Sequence, residues 1–295
     1  MTTLFRGFKV GHYTDTKGLT GCTVIVPPRG NVTSCDIPGS SPGSREIESL
    51  HPDKRLTEIH GLLLTGGSAF GLAAAEGVVE WLSEQGIGFY TPVATIPIVP
   101  AAVVFDLGTG DANARPGREH GRLACEDLRE EGIATGRVGA GTGCTVGKWA
   151  GREHLVPGGL GIATVEDRGV TVAALAVVNA VGDVLDRDGS VLAGTRAVDP
   201  VYRPPSFADD NFTSNTVLAC LVTEADLTKA DVRFLAARGS DGITTSIRPA
   251  HTRYDGDAVF AIAAPAAPDA PAADLDLLGF LATQAVSEAV RNAVR

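Results

Sequence analysis

Residues Asn211–Thr223, NFTSNTVLACLVT, change character in the middle. Up to Asn215 they continue a polar loop that opens with Pro204-Pro205 and carries Asp209, Asp210, Asn211 and Ser214. From Thr216 the run Val217, Leu218, Ala219, Cys220, Leu221, Val222 has the apolar, β-branched character of a buried strand. Thr216 therefore reads as the first residue of a core strand, its hydroxyl held where the strand begins. A threonine in that place is common and by itself needs no functional account.

Outward from this switch, strand and helix signals are mixed. Strands are expected at Gly21–Val26, Gly61–Thr65, Gly161–Val165, Val170–Val178, Thr216–Thr223 and Ala258–Ala263. Gly66-Gly67 bends the chain into a helix with the apolar stripe Leu72, Ala75, Val78, Val79 and Leu82, ended by Gly86. Further helices are expected over Gly117–Gly132, over Thr228–Arg238 with Gly239 as its cap, and from Leu275 to the end. Residues 36–44 read as a loop, and Val184–Asp199 as a hairpin turning at Asp188-Gly189. Ile96–Phe105, with prolines at 97 and 100, reads as loop or edge rather than central strand. Without strict βαβ alternation, the pattern favours an α+β or layered architecture in one domain, 1–295. Residues 200–215 form the most exposed-looking break, which points to processing into 1–215 and 216–295 more than to a domain boundary.

Composition narrows the function. A chain of 295 residues with 44% hydrophobic and 20% charged residues can bury a sizeable core. Its net charge of −10, with no basic run, argues against nucleic acid or anionic membrane as partners. No apolar run reaches the roughly 18 residues of a membrane span, and the N-terminus lacks a signal-like apolar segment. The five cysteines show no CxxC spacing and read as reduced thiols, so a cytoplasmic protein is expected. The six histidines show no metal-ligand spacing and no evident carboxylate partner, and no metal or organic cofactor is expected.

Several motifs nearly match and fail. Gly141–Lys148 resembles a phosphate loop but has Thr142 and Trp149 where glycine and a hydroxyl residue belong. Gly66–Phe70 misses the GxSxG nucleophile elbow by one residue. A phosphate-ligand binder using 136–148 stays open as an alternative function.

The positive signal is Asn215-Thr216. A threonine hydroxyl is a weak nucleophile unless a base sits beside it, and a free α-amine on the same residue is such a base. With an ordinary pKa of about 7.7–8, that amine is suited to general base catalysis near neutral pH. Producing it requires scission before Thr216, by attack of the hydroxyl on the Asn215 carbonyl. Distant residues offer support. Asp255 and Asp257, at i, i+2 before an apolar strand, can orient a hydroxyl and hold a cation. Lys148 is a candidate for that cation, and Asn179, at a strand end, offers an amide donor to an oxyanion.

Across most of its length the chain resembles the DmpA-like aminopeptidase and nylon-oligomer hydrolase family. The resemblance is carried by VGHYTDTKGLTGCTVI, LLLTGGSAFGL, GRVGAGTGCTVGK, AVVNAVGDVLDRDG, NTVLACLVT and DGDAVFAIA, in matching order and spacing. The Asn-Thr pair and the Asp-Gly-Asp element place it nearest the nylon-oligomer hydrolase branch. The resemblance implies a four-layer αββα sandwich and self-cleavage before Thr216. It implies a small peptide or ω-amino amide substrate and assembly into a homo-oligomer, often a tetramer of processed units. It makes Thr216 the nucleophile and Asn215 the residue attacked in maturation. Lys148, Asp255 and Asp257 become the groups that position and activate Thr216, and Asn179 the oxyanion partner. Phe105 stands where the family often has an active-site tyrosine, so contacts in that part of the substrate pocket must differ. A non-processing member serving as a binding or scaffolding protein is the remaining alternative.

Overall fold

Two mixed five-stranded sheets lie face to face, with a pair of helices on each outer surface. The computed structural model describes residues 2–203, 214–266 and 274–295. The loop at 204–213, with Asp209, Asp210 and Asn211, and the Ala/Pro stretch 267–273 lie outside the described residues. The main strands are β1 (Lys9–Asp15), β2 (Thr20–Val26), β3 (Val32–Asp36), β4 (Ser44–Arg45), β5 (Leu62–Thr65), β6 (Ala101–Val103), β7 (Gly159–Asp167), β8 (Val170–Asn179), β9 (Thr216–Glu224) and β10 (Ala258–Ala264). The helices are α1 (Ala74–Glu84), α2 (Arg118–Glu126), α3 (Lys229–Ser246) and α4 (Leu275–Asn292). The first sheet runs β1-β2-β5-β6-β4 and the second β7-β8-β9-β10-β3. The β5–β6 and β9–β10 pairs are parallel.

Three apolar layers follow from the two-residue alternation of the strands. Leu218, Cys220 and Val222 of β9 face the first sheet and meet Phe8, Val10, Ile25, Leu62 and Leu64 between the sheets. The intervening Val217, Ala219 and Leu221 face outward beneath α3 and α4, packing with Leu235, Ile243, Leu278 and Val286. On the far side α1 and α2 cover the first sheet through Ala74, Val78, Leu82 and Ala124. The expected αββα sandwich is the observed one.

Three local expectations are corrected. Ile96–Phe105 contains β6, an interior strand between β5 and β4, because both prolines precede the three residues that pair. The second helix stops at Glu126 instead of continuing to 132, because Arg129 exchanges backbone hydrogen bonds with Val10 at 2.9 and 3.0 Å. The third helix runs through Gly239 to Ser246. Gly239 is not a cap but a point of close packing. A Cβ on it would lie 2.7 Å from Leu221 Cδ1, and one on Gly242 only 2.6 Å from the Thr283 carbonyl oxygen of α4.

Gly242→Ala is therefore expected to lower stability by about 1–3 kcal/mol through overpacking, against the ~1 kcal/mol that alanine gains over glycine in helix propensity. Thr244→Ala, at an exposed position of the same helix, should change it by a few tenths of that amount at most. Urea unfolding midpoints of the two variants provide the comparison.

Candidate active site

Sheet topology brings the predicted residues to one edge. β8 is antiparallel to β9, so its last residue, Asn179, lies directly opposite the first residue of β9, Thr216. β10 is parallel to β9, so the segment leading into it runs beside the segment leading into β9. Asn215 and Asp255 form an isolated parallel bridge there. Alternation from Leu218 and Val177, which lie between the sheets, directs Thr216 and Asn179 into the same inter-sheet layer.

The Asn215–Thr216 peptide is held from several directions. The Asn215 amide donates to the Tyr254 carbonyl at 3.1 Å, and the Gly256 amide donates to the Asn215 carbonyl at 2.8 Å. The Thr216 hydroxyl lies 2.5 Å from that same carbonyl oxygen. The Val217 amide donates to Asp257 Oδ1 at 2.6 Å. Glycine is needed at 256 because a Cβ there would stand 2.7 Å from the Ser41 carbonyl oxygen and 3.0 Å from Thr216 Oγ1. The loop read at 36–44 lies against this element, its Gly39 and Ser41 amides donating to the Asp257 and Asp255 carbonyls at 3.2 and 3.0 Å. Asn215 is fully buried, yet neither polar atom of its side chain has a hydrogen-bond partner among the described residues. Such orphaned groups each cost on the order of 1–3 kcal/mol.

Lys148 joins the group from the glycine-dense segment. Its ammonium donates to Asn179 O at 3.1 Å and to Asn179 Oδ1 at 3.0 Å. Asn179 Oδ1 also accepts from the Thr145 amide, and Asn179 Nδ2 donates to the Phe105 carbonyl at 3.0 Å. Phe105 thus touches the site through its backbone. The residue lines a pocket shared with Thr109, Thr145, Lys148, Arg152 and Ser214. The amides of the same segment are committed internally, which removes the cradle a phosphate needs. Gly139 N donates to Thr14 Oγ1, Ala140 N to Thr23 Oγ1, and Gly147 N to the Gly182 carbonyl.

Burial shapes the charges. It pulls the Lys148 pKa down to about 7, only partly opposed by the Asp255 charge. Burial and then the neighbouring Asp257 charge push Asp255 up to about 6, against hydrogen bonds from Thr252 and the pull of Lys148. Both groups thus exchange protons near neutrality, a property concentrated at functional sites. Sequence reasoning missed one member. His251, set aside for want of a carboxylate partner, places Nδ1 2.7 Å from Asp257 Oδ2. The Asp-Gly-Asp element was legible, but a histidine six residues upstream reaches it only through a left-handed backbone turn, with φ of 52° at His251.

A model of Peptidase family S58 matches residues 3–295 of the chain. The chain belongs to this family. It is 38% identical to a Mycobacterium leprae protein described as an uncharacterized aminopeptidase, across 91% of this chain and 80% of that one. It is 28% identical to the 6-aminohexanoate-oligomer endohydrolase of Kocuria sp. (strain KY2), across 99% and 85%. The expected placement nearest the nylon-oligomer hydrolases is thereby corrected, since the mycobacterial sequence is the more similar of the two. The fold matches that of the L-aminopeptidase D-Ala-esterase/amidase of Ochrobactrum anthropi. That comparison has a TM-score of 0.74 at 19% identity, covering 99% of this chain and 85% of that one. That protein is described as a variant of the Ntn-hydrolase fold, and this S58 chain shares the architecture. As an S58 member the chain is an amide hydrolase.

The raised Asp255 pKa has a consequence for stability. Its carboxyl binds a proton more tightly folded than unfolded, so its favourable contribution is full below the ordinary carboxylate value of 3.8 and is lost as pH rises through about 6. In an uncut Thr216→Ala background, Asp255→Asn should therefore stabilise the fold at about pH 8, by on the order of 2–3 kcal/mol, and give no such gain below about pH 4. Urea unfolding at the two pH values checks the sign.

Proposed function

We propose that this S58 chain is an N-terminal threonine hydrolase that makes its own nucleophile by cleaving the Asn215–Thr216 bond. The observation that carries this reading is the Asn215 carbonyl, which accepts from the Gly256 amide while the Thr216 hydroxyl lies 2.5 Å from its oxygen. Attack by Thr216 Oγ1 on the Asn215 carbonyl carbon puts negative charge on an oxygen that already faces a fixed N–H donor. Collapse of that adduct breaks the peptide C–N bond and leaves an ester on Oγ1, and the proton given up by the Thr216 hydroxyl ends on the departing nitrogen. Water then hydrolyses the ester, giving the Asn215 carboxylate and a free α-amine on Thr216. The orphaned Asn215 side chain raises the energy of the uncut state and so favours the cut.

In the processed enzyme the α-amine of Thr216 takes the hydroxyl proton as Oγ1 attacks a substrate amide, then passes it to the leaving amine. Asn179 Nδ2 carries two hydrogens, one directed at the Phe105 carbonyl, and its amide serves the oxyanion. Lys148 holds Asn179 in place and can exchange a proton near pH 7. Val217, pinned to Asp257, fixes the strand start that carries the nucleophile. Substrates are small peptides or ω-amino amides. The higher identity to a protein described as an aminopeptidase favours peptides, and the phenylalanine at 105 offers them no hydroxyl. The enzyme works in the cytoplasm as a homo-oligomer of processed units.

Intact-mass measurement of purified protein should give fragments corresponding to 1–215 and 216–295. Thr216→Ala should remain full length and lose at least about 10³-fold in amide hydrolysis, as expected for removal of a covalent nucleophile. Wild-type protein that stays intact through long incubation would sink this reading.

A further inference from the structure

We propose that His251 is a positioning residue of this site, whose imidazolium clamps Asp257 and, through Asp257, the Val217 amide next to Thr216. The inference deepens the reading of Thr216 as nucleophile and rests on it. Asp257 is 1% exposed and uses both oxygens: Oδ1 accepts from Val217 N at 2.6 Å, and Oδ2 accepts from His251 Nδ1 at 2.7 Å and His251 N at 3.3 Å. On the other side of the ring, Nε2 lies 3.4 Å from the Ser240 carbonyl of α3. A neutral imidazole carries one N–H and can serve one of these two acceptors, whereas the imidazolium serves both. His251 therefore belongs to the charge balance of the site, where two adjacent buried carboxylates, Asp255 and Asp257, lie near the buried Lys148.

The surroundings favour that charged form. Burial alone draws the His251 pKa down. The Asp257 hydrogen bond and charge, the Ser240 carbonyl and the Asp255 charge together outweigh it, and the net shift is upward. From α3 the Ser240 carbonyl faces the ring at Nε2. The Ser240 hydroxyl lies 2.5 Å from Asp36 of β3, and Asp36 is paired with Arg233 at 2.7 Å. Asp255, raised by burial and by the neighbouring Asp257 charge, lies beside this contact. The left-handed backbone at His251 keeps its amide and ring on the same carboxylate oxygen, a local cost accepted beside the site.

Two measurements test this. Ring NMR of His251 in uncut Thr216→Ala protein should show titration above the ordinary histidine value of about 6.5, falling by about one pH unit or more when Asp257→Asn is added. Independently, the self-scission rate of His251→Gln should be followed against pH. Glutamine can still donate to Asp257 but carries no charge, so the limb that follows the Asp255 proton should move about one pH unit toward alkaline pH. A merely structural histidine would lower the rate at every pH and leave the limb in place. Titration of His251 at or below 6.5, unchanged by Asp257→Asn, overturns the proposal, as does an unmoved limb in a variant that still cuts. Should His251→Gln fail to fold, the NMR arm decides alone. If wild-type protein never cuts, the nucleophile reading fails instead, and the two failures stay distinct.

Discussion

The site depends on β9 being held between an antiparallel and a parallel neighbour. The antiparallel partner ends where β9 begins, so Asn179 sits across from Thr216. The parallel partner begins where β9 begins, so the Asp-Gly-Asp element lies alongside Asn215 and Thr216. This pairing collects an amide, a hydroxyl and two carboxylates from chain positions 179, 216 and 255–257 at a single edge. The apolar layers on both faces of β9 make this edge rigid, because shifting the register by one residue would exchange every inward and outward side chain of the strand.

Rigidity of this kind suits catalysis because the site is unfavourable for stability. It buries a lysine, two aspartates and an asparagine whose side-chain amide has no partner among the described residues, with a half-buried histidine beside them. Each would be cheaper in water. What offsets them is the sandwich itself: the layer between the sheets and the α3–α4 layer, whose close approach at Gly239 and Gly242 lets the helices sit directly on β9 and β10. Proton affinities shifted toward neutrality are the visible result at Lys148 and Asp255.

Much of this was legible in the chain. The loop-to-strand switch at Thr216 follows from the start of an uninterrupted apolar run, and β7, β8 and β10 from similar runs. Chemistry and resemblance point to Lys148, Asn179, Asp255 and Asp257, and the fold brings them together. What stayed hidden depends on pairing between distant segments. The helix ending at Glu126 gives way to a backbone exchange between Arg129 and Val10, which no local pattern announces. Gly239 resembles a cap until Leu221 and Val259 are seen beneath it. His251 reads as a structural or surface residue because its partner is reached through a turn, and turns obscure spacing rules that hold on helices and strands.

The place of Thr216 in the topology also decides what kind of object a cut chain would be. Residues 216–295 supply the central strand of the second sheet, its parallel neighbour and both helices of one outer layer. Residues 1–215 keep the first sheet with α1 and α2, but the second sheet is divided between the pieces, so separating them tears out its middle and opens the apolar layers on both its faces. Renaturation would then require two molecules to meet, and its rate would depend on concentration, whereas the uncut chain folds as one molecule. Cleavage at that position therefore acts as a ratchet: the structure is assembled while its parts are tethered, and afterwards the route back is second order.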